Sequence, residues 1–175
     1  YDFDAPITDG GQLTEKYYAV QRVIHEVFQE LEQMEPISRQ AKTYGSYPLL
    51  GTANLLDVAA DITEEILLDY PQPMEQIGQN HGYILYRSDI KNQYHEERLK
   101  ALETHDRCHF YINQEHLATQ YREEIGDEML FSADTKRIQI DVLVENMGRV
   151  NYGYKLGAPS QSKGVKGGIM INHQF

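Results

Sequence analysis

The stretch IQIDVLVENMGRVNYG at residues 138–153 constrains the fold more than any other part of the chain. Ile138, Ile140, Val142 and Val144 fall on one face of a period-two strand; Gln139, Asp141, Leu143 and Glu145 fall on the other. The first face is β-branched and suited to burial, whereas the second is polar apart from one leucine. Alternation stops at Asn146. Asn146, Gly148, Asn151 and Gly153 are residues that turn a chain, and Arg149 sits among them. The pattern predicts a strand at the edge of a sheet, running directly into a compact polar loop.

The rest of the second half supplies partners for that strand. Residues 82–87 alternate, with Tyr83 and Leu85 opposing Ile84 and Tyr86. Residues 108–112 alternate likewise, and Asn113-Gln114-Glu115 is a hairpin turn leading to a strand at 117–121. Residues 168–172 read as a last strand, entered from the glycine-rich run 163–168 as a flexible turn. Met74 to Gln79 suits a short helical turn, and the polar stretch 95–102 a loop or short helix. Five or more short strands with polar connections predict an antiparallel β-sandwich of jelly-roll type over residues 70–175.

The N-terminal part differs. Residues 1–6 can be extended, and Asp9-Gly10-Gly11 is a turn. Thr14 is a candidate helix N-cap with Glu15 in the first turn. Tyr17, Val20, Ile24, Val27, Phe28 and Leu31 follow at helical spacing, which predicts an amphipathic helix to about Met34, ended by Pro36. Strand, loop and helix make one βα unit over residues 1–34. Its apolar stripe needs cover, from the sandwich or from a second copy of the chain. Residues 35–69 read as a connector, in which 49–50, 55–58 and 66–68 are apolar enough for short buried strands.

Composition narrows the classes. Sixteen Lys+Arg against twenty-seven Asp+Glu give a net charge of −11, which disfavours nucleic acid and anionic membrane as partners. The single cysteine, Cys108, forms no internal disulfide and points to a reducing, cytoplasmic compartment. The chain opens without Met or a signal-like segment, so its natural N-terminus is expected to lie upstream.

Several groups invite a chemical reading. Asp2 and Asp4 would share a strand face, and retaining glycosidases use two carboxyls about 5 Å apart. Their bland role is hydrogen bonding within the loop. His105, Cys108 and His109 lack the three or four convergent ligands that zinc needs, because Cys108 and His109 oppose each other on a strand; no metal site is expected. Asp106, Arg107 and Arg149 suit bidentate locks between loops. Tyr83, Tyr86, Phe110, Tyr111, Tyr152 and Tyr154 could stack on a sugar, but alternating strand aromatics are more often core and sheet surface.

The run LVENMGRVNYG (residues 143–153) closely resembles a signature of the β-galactosidases of glycoside hydrolase family 35. YDFDAPITDGGQLTEKY (residues 1–17) resembles the segment where that family's catalytic barrel ends. YPQPMEQIGQNHGYILYR (residues 70–87) and Asp106-Arg107 resemble the start of its first β domain. The matches occur in family order and span nearly the whole chain. The resemblance implies an internal piece of such an enzyme: one βα unit left over from a (β/α)8 barrel, then a mainly β, galactose-binding-like sandwich. The parent would hydrolyse terminal non-reducing β-D-galactose with retention and without a cofactor. Its two catalytic glutamates would lie upstream, leaving no catalytic residue here and a fragment that does not turn over substrate. Asp2, Phe3 and Asp4 would be the residues nearest the sugar. Phe3 stands where the family usually has a tyrosine that contacts it. Asp106, Arg107, Asn146, Arg149, Asn151 and Tyr152 would form a structural loop or interface. The expected partners are the missing barrel and, for the parent, a β-galactoside. The alternatives are an independent galactoside-binding module and a subunit-interface domain of a homo-oligomer.

Overall fold

The computed structural model describes residues 3–32, 37 and 39–175. It divides into two compact units, Tyr1–Thr52 and Ala53–Phe175.

In the first unit, helix α1 spans Glu15–Val27. Thr14 caps it, its hydroxyl accepting the Tyr17 N–H at 3.4 Å, and Glu15 complements the dipole in the first turn. The same hydroxyl donates to Pro6 O at 2.9 Å, which ties the helix start to an isolated Ile7–Leu13 bridge. The helix ends earlier than its apolar spacing predicts. The Phe28 N–H still reaches Ile24 O (2.8 Å), but Phe28 itself has φ −119° and ψ 74°, and a turn follows. Pro36 lies outside the described residues. No residue of α1 is buried. A helix whose stripe gains no packing has only propensity to extend it. The expected strand at 1–6 is also not formed among the described residues: Phe3 and Asp4 lie in a turn. An extended segment becomes a strand only through bonds to a neighbouring one, and among the described residues only the isolated Ile7–Leu13 bridge pairs nearby.

The second unit begins with helix α2, Leu55–Ile62. This corrects the expected strand at 55–58. Asn54 acts as N-cap, accepting the Leu56 N–H at 3.1 Å, and Leu56 and Ala59 are buried on one face. The expected short strands at 49–50 and 66–68 are irregular and exposed. Apolar pairs without an adjacent strand edge have no ladder to join. Met74–Ile77 forms the anticipated short turn, as a 3-10 helix ending on Gly78.

Seven strands follow: β1 (Tyr83–Lys91), β2 (Glu96–His105), β3 (Arg107–Ile112), β4 (Glu115–Gln120), β5 (Met129–Ser132), β6 (Arg137–Glu145) and β7 (Gly164–Ile171). They make two antiparallel sheets, β1-β6-β3-β4 and β5-β2-β7. The inner faces share one core. Cys108, Phe110, Ile138, Ile140, Val142 and Val144 meet Leu99, Ala101, Met129, Phe131 and Val165 across it. The domain is thus a mainly β sandwich.

Strand β6 is not at an edge but sits between β1 and β3. Its outer face is buried at Asp141 and Leu143, and Asp141 is satisfied there by Arg87 (2.6 and 3.1 Å) and by Gln139, which donates to it at 2.7 Å. The stretch 95–102 is a strand. Glu97 occupies an inward position in line with Leu99 and Ala101, buried and accepting the N–H groups of Gln93 and Tyr94 (2.8 and 3.1 Å). Strand β5 had no expected counterpart; only Met129 and Phe131 mark its inner face. Finally, 163–168 is not a flexible turn. Lys163 is buried and Gly164 starts β7. Gly164 has φ +87°, and a Cβ there would lie 2.3 Å from the Tyr86 hydroxyl, so only glycine fits.

Candidate functional site

The loop that follows β6 is built on the strand ends around it. Asn146 leaves the sheet with its N–H on Gly82 O (3.0 Å) and its Nδ2 on Asn80 O (3.0 Å). Its Oδ1 accepts the Gly148 N–H at 2.9 Å, closing an Asx turn. Gly148 then takes φ +112°, a conformation that glycine adopts without strain. That turn sends Arg149 back over the segment before β1, where it donates to Asn80 O and to the Glu75 carboxylate. Glu75 also accepts the Lys163 N–H (3.1 Å to each oxygen), joining the loop to the start of β7.

Asp106, between β2 and β3, anchors the other side. It accepts the Met147 N–H (2.9 Å), Arg122 (2.9 Å) and both contacts of the Lys163 ammonium (2.8 and 2.6 Å). Four contacts from three donor groups occupy the roughly four lone-pair sites of a carboxylate. The Lys163 side chain is 1% exposed, so this is a buried ion pair. Gln161 Oε1 accepts the Val150 N–H at 3.3 Å. Asp106, Arg122, Met147, Gly148, Arg149, Val150 and Gln161 line a shallow depression.

The electrostatics follow from these bonds. Burial pushes the Asp106 carboxyl up, but hydrogen bonds from Lys163 and Met147, with the charges of Lys163 and Arg122, hold it below the ordinary value of 3.8. Glu75 behaves the same way. Burial raises it, and the hydrogen bonds from Arg149 and the local backbone hold it below 4.5. Neither is poised as a general acid near neutrality.

The other singled-out residues are dispersed. Arg107 faces the opposite side of the β6 terminus, where it pairs with Glu145 and lies 5.7 Å over the Tyr121 ring. Tyr152 and Tyr154 are exposed on the loop that carries Asn151. Among the remaining aromatics, Phe110 is core. Tyr86 is half-buried, donating to Gln72 O (2.7 Å) and accepting from Val165 N (3.0 Å). Asp2 lies outside the described residues. Phe3 is fully exposed, and Asp4 pairs with Lys16 at 3.2 Å. Cys108 is core, His105 Nδ1 meets Ser162 O at 3.2 Å, and His109 points away from both. Sequence reasoning missed Glu75, Arg122, Gln161 and Lys163. Lys163 and Asp106 are 57 residues apart, and no local pattern links them.

Residues 71–175 match the family model described as β-galactosidase, first all-β domain. The chain belongs to the β-galactosidase family through this domain. A rice (Oryza sativa subsp. japonica) protein named β-galactosidase 8 is 31% identical, over 87% of this chain and 25% of its own length. Arabidopsis thaliana β-galactosidase 17 is 29% identical, over 100% of this chain and 27% of its own. Human β-galactosidase is 31% identical, over 87% and 23%. The chain therefore spans about a quarter of the length of these β-galactosidases. The lock around Asp106 and Glu75 lies wholly inside the matched β-galactosidase domain.

Proposed function

We propose that the chain is part of a retaining enzyme that hydrolyses terminal non-reducing β-D-galactose residues. Its β-sandwich would be a non-catalytic scaffold that buttresses the catalytic barrel. One observation carries this reading: the charged groups of the loop site are consumed internally. Asp106 is filled by Lys163, Arg122 and Met147, while Glu75 is tied to Arg149 and the Lys163 backbone. A carboxylate that transfers a proton or attacks a sugar must face substrate with a free lone pair. Beside the exposed Asn151 and Lys155, the loop turns outward several large apolar or aromatic side chains, Met147, Tyr152, Tyr154 and Leu156. Such side chains suit packing against the catalytic portion. The reaction in this reading needs two glutamates carried elsewhere in the enzyme, and no cofactor.

The exposed Tyr152 and Tyr154 favour one second reading, a module that binds galactosides by itself. The hydrolytic assignment is tested by incubating the purified chain with a nitrophenyl β-galactoside. No turnover is expected. Turnover proportional to the concentration of the chain would overturn the non-catalytic role.

A further inference from the structure

Among the described residues, β1 pairs only with β6 and β7 only with β2, so each sheet has one free edge here. Between the two edges runs a groove of about 1320 Å3, lined by Ile84, Tyr86 and Ile90 of β1 and by Ile169 and Ile171 of β7. The irregular segment 64–72 lines it as well. All five strand residues pack against the core and yet stay only half-buried. Small-molecule sites are commonly about 300–1,000 Å3 and enclose their ligand; a larger groove beside a strand edge suits a length of chain.

The chain itself starts to fill this space. Asn172 and His173 take φ 47° and 65°, the two left-handed positions of a type I′ hairpin turn. Across the turn, the Ile171 N–H donates to Gln174 O (2.8 Å) and the Gln174 N–H to Ile171 O (2.9 Å), the mutual pair that closes a two-residue hairpin. The turn is anchored to β2. The Asn172 N–H donates to Arg98 O, and Asn172 Oδ1 accepts the Arg98 N–H, each at 2.9 Å. Gln174 and Phe175 therefore run back along the free edge of β7. The Phe175 ring lies over Gly168, where a Cβ would come within 2.9 Å of it, the diagonal contact of an antiparallel register.

Alternation fixes the next position. Ile171 turns its backbone groups to Gln174 and Asn172 turns its N–H to β2, so Ile169 presents its N–H and C=O to the free edge. Such an edge, beside half-covered apolar side chains, is a template for one more strand. We propose that the free edge of β7 and the groove beside it receive an eighth strand, antiparallel to β7 and formed by the polypeptide directly after Phe175. The proposal rests on the reading above that the chain is part of a longer enzyme. In this register the residue after Phe175 exchanges both backbone bonds with Ile169 and turns an apolar side chain into the groove. Sheets of four and three strands become two sheets of four, the strand count of a jelly roll.

The test compares amide hydrogen exchange in the 15N-labelled chain and in the same chain extended by the residues, about ten, that follow Phe175 in the parent polypeptide. The Ile169 amide should exchange at least about tenfold more slowly in the extended chain, because opening must break the added pair. Nuclear Overhauser contacts should link Ile169 to the residue after Phe175. His173→Pro cannot take φ 65° and should return Ile169 to its rate in the shorter chain, while the Val142 amide in central β6 stays protected and reports the fold. Unchanged Ile169 exchange in a folded extended chain, contacts of the added residues with a different strand, or a parent polypeptide that ends at Phe175 overturns the eighth strand. Galactoside hydrolysis by the parent reads the enzyme assignment separately: a protected Ile169 in a parent without hydrolysis overturns that assignment and leaves the strand in place.

Discussion

Replacing Asp106 with leucine tests the lock at its centre. The substitution strands the Lys163 ammonium, whose side chain is 1% exposed and whose two contacts, at 2.8 and 2.6 Å, are both to Asp106. Breaking a buried pair by removing one partner costs about 3–5 kcal/mol. The Met147 N–H also loses its acceptor, at about 1–3 kcal/mol if it finds no other, and the two losses are not additive. Against a total stability of about 5–15 kcal/mol, the variant should sit close to the folding threshold. With a urea slope near 2 kcal/mol/M, the midpoint should fall by about 2 M. Lys163→Met should cost less, because Asp106 keeps Arg122 and Met147 and is itself 11% exposed. The double variant Asp106→Leu/Lys163→Met should recover most of the loss, since an apolar replacement of a whole buried pair is often neutral. Urea unfolding followed by circular dichroism reads all three. A single Asp106→Leu cost below about 1 kcal/mol, or no recovery in the double variant, refutes the buried-pair argument.

Acid should weaken the same lock. Asp106 and Glu75 both titrate lower in the folded chain than their ordinary values of 3.8 and 4.5, so the unfolded chain binds more protons across that range. Their contribution is complete above the ordinary values and is lost as pH falls through them to the lower folded ones. Melting temperatures measured from pH 7 to pH 3 should drop in that acidic window, and a flat profile there would count against it. The β3–β4 turn places Asn113 and Gln114 at φ 50° and 69°, where glycine is unstrained at the second position; Gln114→Gly should raise stability by about 1 kcal/mol in the same urea assay. Burial pushes the Cys108 thiol up to about 12, so Ellman's reagent should label it only on unfolding. Fast labelling of the native chain would show that the core around it opens.

The parts of the fold that the sequence made legible are those where period and chemistry agree. Ile138, Ile140, Val142 and Val144 are all β-branched and all inward, and Thr14 announces α1 because its hydroxyl is the one cap available. The illegible parts are those where a distant partner changes a residue's meaning. Asp141 and Glu145 made the outer face of β6 look solvated, but Arg87 and Arg107, 54 and 38 residues away, neutralise them inside a central strand. Glu97 hid β2 because an inward carboxylate is tolerable only where local N–H groups meet it. Asn54 turned an apolar run into a helix start. The same limit holds at the loop. Asn146, Gly148 and Arg149 stood out as turn and anchor, while their counterparts Glu75 and Lys163 carried no local signal.

In the proposed function this β domain is scaffold, and its polar groups hold a loop instead of a sugar. The most direct measurement is an NMR titration of the chain with galactose into the millimolar range. No saturable shifts are expected. Saturable shifts clustered on the amides around Arg149, Tyr152 and Tyr154 would contradict the scaffold role and make the loop a galactoside-binding site.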